Sequence, residues 1–184
     1  MDNGLSSYNR FLSGEKDAID DIIKEYKDGL VYYLYGITKD MQLAEASAID
    51  AFIKLYVDKP RFKGSGAFKT WIYTIGRNKA YDAMRKLSKL KYSDIDEAYN
   101  ISDGNDIENK VDKDEMRADL RRIVSKLKPE YSQALCLVFF EDFTNDEAAR
   151  IMKKTNKQIR DLLYRAKKIL KKELEKEGDF FYGL

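Results

Sequence analysis

The stretch "FKTWIYTIGRNKAYDAMRK", residues 68–86, mixes rings and cations at helical spacing. Phe68, Ile72, Ile75, Ala80, Ala83, Met84 and Leu87 can share one side, which predicts a helix from Phe68 to about Leu90. Steps of four also generate Lys69, Tyr73, Arg77, Tyr81 and Arg85, a stripe of alternating cation and ring on successive turns. The stripe is expected to lie away from the Phe68, Ile72 and Met84 side. Cations attract phosphates, and rings offer faces on which unpaired bases stack, each worth roughly 1–3 kcal/mol. Asn78 and Asp82, one turn apart, add hydrogen bonds to base edges or to Arg85. Core rings beneath a solvated lysine face are the simpler alternative. The adjoining loop "FKGSGA", residues 62–67, favours nucleic acid, because small residues bring backbone donors close to a phosphate or an extruded base. It is not a P-loop, since no glycine-rich run ends in Gly-Lys-Ser/Thr.

Outward from this segment the chain reads as helix almost throughout. Residues 15–35 place Ile19, Ile22, Ile23, Tyr26, Leu30, Tyr33 and Leu34 on one stripe, and residues 41–57 repeat the pattern with Ala44, Ala48, Phe52, Leu55 and Tyr56. "DKPRFKGSGA" breaks it as a loop. Residues 93–114 are acidic and poor in bulky apolar groups, the composition of a linker. Beyond it Met116, Leu120, Ile123, Val124 and Leu127 form one helix. Pro129 suits the first turn of another, running through Leu135 to Phe140. Thr144 and Glu147 stand at capping-box spacing before a short helix, Asn145 to Lys153. After the turn "KKTN", with Thr155 or Asn156 as cap, a longer helix spans Lys157 to Glu175. Two helices across a tight turn make a helix-turn-helix. The expected fold is all-α: two small helical domains, 1–92 and 119–177, on a flexible acidic linker, 93–118, with a tail at 178–184.

Charge supports the division. The whole chain carries 34 Lys plus Arg against 32 Asp plus Glu, a net +2, yet residues 61–92 hold net +8, residues 93–119 net −7 and residues 150–176 net +8. Two cationic blocks flank an anionic one. The helix-turn-helix block buries Ile159, Leu162, Leu163, Ala166, Ile169 and Leu170 and leaves Lys157, Gln158, Arg160, Asp161, Tyr164 and Arg165 outward. That is the portion which enters a major groove when such a unit docks. A helical hairpin that binds nothing is the alternative on pattern alone. There is no histidine, which removes the commonest general base and metal ligand. No enzyme activity, cofactor, metal or small-molecule substrate is expected. The single cysteine, Cys136, lies in the apolar run "ALCLVFF" and reads as a core residue, as suits a reducing cytosol. Nothing approaches the roughly 20 apolar residues of a membrane span, and no signal-peptide pattern opens the chain. A cytoplasmic protein without membrane insertion follows.

These segments together resemble the bacterial RNA polymerase sigma factors of the sigma-70 family, extracytoplasmic-function type. "FKTWIYTIGRNKAYDAMRK" is similar to the region 2 signature F-R-T-W-L-Y-x-I-A-R-N. "AEASAIDAFIKLY" resembles the core-binding helix, and "LKPEYSQALCLVFFEDFTNDEAARIM" with "IRDLLYRAKKILKKEL" resembles region 4. The resemblance implies an alternative sigma factor that binds core polymerase, directs it to a promoter set and assists opening. It assigns minus-ten contacts to Phe62, Lys63, Gly64, Ser65, Ala67, Phe68, Trp71, Arg77, Asn78, Asp82 and Arg85. Minus-thirty-five contacts fall to Lys157, Arg160, Asp161, Tyr164, Arg165 and Lys168, and core-polymerase contacts to Glu45, Asp50 and Phe52. The helix from Leu135 to Phe143 would engage the polymerase flap. An anti-sigma factor is an implied partner beside core enzyme and promoter DNA. Ala46 departs from the family's acid, Lys153 and Lys154 fill a turn that often holds glycine, and Leu162 replaces a frequent cation. The rival reading is a helix-turn-helix regulator that acts without being a polymerase subunit.

Overall fold

A computed structural model describes residues 3–62, 67–93 and 115–176. The first four helices, α1 (Asn3–Leu12), α2 (Ala18–Thr38), α3 (Met41–Asp58) and α4 (Phe68–Ser93), pack as one unit around α2. Its core is Tyr8, Ile22, Leu30, Leu34, Leu55, Phe68 and Ile72, all without solvent exposure. Asp40 starts α3 by accepting a hydrogen bond from the Leu43 amide at 3.0 Å, the normal service of an N-cap. Helix α1 was not foreseen, although Leu5, Tyr8, Phe11 and Leu12 recur at three-and-four spacing. Its Tyr8 hydroxyl donates to the Pro60 carbonyl at 2.8 Å, holding α1 against the chain that leaves α3. Burial pushes the Tyr8 pKa up to about 12.

The second unit comprises α5 (Glu115–Lys126), α6 (Pro129–Leu135), α7 (Asn145–Met152) and α8 (Asn156–Lys176). The expected single helix from Pro129 changes pitch: α6 runs into a π-helical turn over Cys136–Phe140. Pro129 does occupy the first turn of α6. The capping box at Thr144 and Glu147 is present in both directions, and a second reciprocal pair, Thr155 with Gln158, opens α8. Ile159 and Ala166 are fully buried and Leu163 nearly so, so the inward face of α8 is as expected. The linker expectation falls mostly outside the described residues; of its two ends, Ser93 belongs to α4 and residues 115–118 to α5. Gly64 and Ser65 of the loop and the tail also lie outside them.

Lysine replaces glycine at the α7–α8 turn because the backbone accepts it at a cost. Lys153 sits in the left-handed region, φ 54°, with its amide bonded to the Ala149 and Arg150 carbonyls. A side chain there costs roughly 1 kcal/mol that glycine avoids. Lys153→Gly should therefore stabilise the protein by about 0.5–1 kcal/mol, read as a higher denaturant midpoint.

The two units are in contact. Helix α2 packs on α5, α6 and the π-helical turn, and α4 packs on α7. One apolar cluster of buried residues runs through both, from Tyr8 to Ala166. Two helical glycines of α2 face this seam. A Cβ at Gly36 would stand 2.7 Å from Ser132 Oγ, and one at Gly29 would stand 2.6 Å from the Glu141 carboxylate and the Tyr73 hydroxyl.

Candidate nucleic-acid interface

Of the cation–ring stripe on α4, Lys69, Tyr73, Arg77 and Tyr81 face the second unit, and only Arg85 faces solvent. Tyr73 is wholly buried. Its hydroxyl donates to Glu141 Oε2 at 2.5 Å, and its ring meets Phe143 edge-on at 5.0 Å. Lys69 pairs with the same carboxylate at 3.1 Å and donates to the Glu141 carbonyl at 2.7 Å. Its ammonium also lies over the Phe143 ring, 4.9 Å from the centroid, an attractive geometry. Arg77 stacks on Tyr81 at 4.5 Å and donates to the Met152 carbonyl at 3.3 Å, at the C-terminal end of α7. The helix dipole makes that end negative. Burial raises the Tyr73 pKa, and the neighbouring Glu141 carboxylate adds to the rise.

Other residues of the expected minus-ten set divide by burial. Phe68 is completely buried, against Tyr8, Tyr26, Phe62 and Trp71, so it builds the core and cannot touch a base. Trp71 and Phe62 are half-buried and face one another, centroids 5.3 Å apart. Asp82 and Arg85 are exposed and paired with each other. Asn78 and Ala67 are half-buried; Lys63, Gly64 and Ser65 lie outside the described residues.

On α8 every expected reader is exposed: Lys157, Arg160, Asp161, Tyr164, Arg165 and Lys168, with Tyr164 73% accessible. The face is unobstructed by the first unit, since α8 packs on α5, α6 and α7. A large exposed ring among cations at the N-terminal half of such a helix is suited to a major groove.

The expected core-binding set needs one correction. Glu45 and Asp50 are exposed on α3, but Phe52 is buried in the core, because position 52 falls on the same side as Ala48 and Leu55. The outward face of α3 instead carries Ile49, Ile53, Tyr56 and Val57, a stripe with Ile53 51% and Val57 66% exposed. Apolar spacing had already placed Phe52 on the covered stripe with Ala48 and Leu55, against the role implied by the resemblance; Tyr56, expected on that stripe, is 48% exposed and belongs to the outward face. Exposed apolar residues grouped this way mark a partner surface.

A helical unit with a cation–ring stripe, packed on a helix-turn-helix unit with an exposed cationic face on α8, has the make-up of a two-part DNA-binding protein. Comparison with known proteins agrees. The family description "Sigma-70 region 2" matches residues 22–90, and "Sigma-70, region 4" matches residues 117–170. RNA polymerase sigma factor YlaC of Bacillus subtilis is 26% identical over 166 residues, 89% of this chain and 96% of that protein. ECF RNA polymerase sigma factor SigW of the same organism is 27% identical over 170 residues, 88% of this chain and 91% of that protein. Among solved structures, the sigma factor RpoE from Bartonella quintana, crystallised with the anti-sigma factor NepR, shares the fold. Its TM-score is 0.66 at 21% identity, covering 86% of this chain and 98% of that one. The chain belongs to the sigma-70 family of RNA polymerase sigma factors, extracytoplasmic-function type.

Proposed function

We infer that this chain is an alternative sigma factor, which binds RNA polymerase core, brings it to a particular set of promoters and helps open them. The observation that carries the reading is the pairing of the two family matches, in order, with a free helix-turn-helix face on α8 and a cation–ring stripe on α4. The division of labour is our proposal. The unit of residues 1–92 holds core enzyme and captures the minus-ten strand with Phe62, Lys63, Gly64, Ser65, Ala67, Trp71, Arg77, Asn78, Asp82 and Arg85, joined by Lys69 and Tyr81. The unit of residues 119–177 reads the minus-thirty-five duplex with Lys157, Arg160, Asp161, Tyr164, Arg165 and Lys168, across the acidic linker 93–118. The chain supplies recognition, not catalysis, and acts in the cytoplasm. Among the described residues no helix is long and apolar enough to cross a membrane. An anti-sigma factor is the natural partner by relationship, since the sigma factor RpoE, whose fold this chain shares, is solved in such a complex.

On α3 the polymerase contact is assigned to Glu45, Ile49, Asp50 and Ile53, with Phe52 holding the helix in place from beneath. Transcription from genomic fragments by purified core enzyme, with and without this chain, tests the function directly. Start sites that appear only when the chain is added are expected, and their absence on every template would overturn the reading. Ile53→Glu tests the surface. It should weaken core binding by at least about tenfold, or 1.4 kcal/mol, while thermal melting is nearly unchanged. Unaltered affinity removes Ile53 from the interface.

A further inference from the structure

We propose that α1 is a positioning element for strand capture: Tyr8 holds the Phe62–Trp71 ring pair ready for an unpaired base without touching DNA itself. This rests on the assignment of Phe62 and Trp71 to the minus-ten strand. It goes beyond that assignment, because Tyr8 lies outside the stretch matched as region 2, residues 22–90. Tyr8 has no solvent exposure, so it acts only through its neighbours. Its ring meets Trp71 edge-on at 5.6 Å and Phe68 at 5.4 Å. Phe68 in turn meets Phe62 at 6.2 Å and Trp71 at 5.5 Å. Two buried rings thus form a floor under two half-buried ones. Rings at these separations attract one another and favour particular tilts, so the floor fixes how the upper pair stands.

The backbone is tied as well as the rings. The Tyr8 hydroxyl donates to the Pro60 carbonyl at 2.8 Å, two residues before Phe62. One residue earlier, Lys59 ends α3 in the left-handed region, φ 44°, and its ammonium lies over the Phe11 ring, 5.1 Å from the centroid. Helix α1 therefore holds the chain that leaves α3 at two successive residues, and Phe62 follows with its path already set. Trp71 belongs to α4, so the two rings of the pair come from separate elements. Tyr8 is the residue that reaches both, Trp71 through its ring and the Phe62 segment through its hydroxyl. The helix that carries it sits tightly on the same core: a Cβ at Gly4 would stand 2.7 Å from the Phe68 ring. Groups held in their working geometry beforehand spare an incoming ligand the cost of ordering them. A base arriving between Phe62 and Trp71 gains that saving from α1.

Tyr8→Phe tests this, because it removes the hydroxyl and keeps the ring. Trp71 is the sole tryptophan, so its emission reports on the pair directly. The full-length parent and the variant are titrated with a single-stranded DNA of random sequence. A base stacked on Trp71 should quench both to the same final level, but the variant should need about five- to tenfold more strand, the cost of ordering about one residue of backbone. Affinity for a random-sequence duplex, which α8 meets, should stay the same. Ile37→Val, a buried change near the C-terminal end of α2, controls for a general loss of stability and should leave the strand titration where it is. Parent emission that ignores the strand overturns the proposal. So does an unshifted Tyr8→Phe midpoint, or an equal shift in Ile37→Val. If Tyr8→Phe does not fold, Lys59→Asn accepts the left-handed backbone and removes the tie to Phe11 instead; weaker strand binding is again expected, and unchanged binding overturns the idea. Transcription with core enzyme is scored separately. Start sites that appear while Tyr8→Phe shows no shift remove the role of Tyr8 alone, whereas a shift without transcription on any template keeps that role and removes the sigma function.

Discussion

Phe68→Ala is expected to destabilise the first unit by about 3–5 kcal/mol, rather than to weaken DNA contact in a folded protein. Phe68 has no solvent exposure and touches four other rings, Tyr8, Tyr26, Phe62 and Trp71. Removing it leaves a cavity between α1, α2 and α4 that these large rings cannot readily collapse to fill. Chemical denaturation followed by fluorescence of Trp71, the sole tryptophan, reads the loss at the site itself. An unchanged midpoint with reduced strand binding would return Phe68 to the role suggested by the family signature. Trp71 differs from it in kind: one side packs on Tyr8 and Phe68 while the residue as a whole stays half-accessible, so it can contribute to both stability and stacking.

Lys69→Met is expected to cost the contact between the units about 3 kcal/mol. Breaking one side of a buried ion pair strands the other, typically at 3–5 kcal/mol. The Glu141 side chain is only 10% exposed and cannot rehydrate in place, whereas the Lys69 side chain is 32% exposed, which holds the effect to the lower end. Methionine keeps the apolar length of the stem, so packing against Phe143 survives and the change isolates the charge. The loss should appear as two separated unfolding transitions in calorimetry where the parent chain shows one. A single transition at the parent temperature would mean that the seam does not couple the units. Because Lys69 is also proposed to hold a DNA strand, DNA affinity is the wrong reading for this variant, and stability is the right one.

Much of this was legible in the sequence because it depended on local chemistry. Helix type followed from apolar spacing, as in Ile19–Ile22–Ile23–Tyr26 and Ile159–Leu163–Ala166. Helix starts followed from side chains that bond their own backbone, at Thr144 with Glu147 and Thr155 with Gln158. The reading face of α8 was also visible, since a helix packed on one side leaves its opposite side to solvent. Where two sides of a helix were both able to pack, local chemistry had no answer. On α3, Tyr56, expected inward beside Phe52 and Leu55, turned outward with Ile49 and Ile53, a choice set by where α2 and α4 lie.

The order of the helices, the capped turn and the alternation of ring with cation on α4 were therefore determined by the sequence itself, because each is an interaction between residues a few positions apart. What those rings and cations face was decided only by tertiary structure. Lys69 meets Glu141 across 72 positions and Arg77 meets Met152 across 75, and no spacing rule reaches that far. Gly29 and Gly36 read as weak points of a helix until the second unit is brought against them; then the missing side chains become the space it fills.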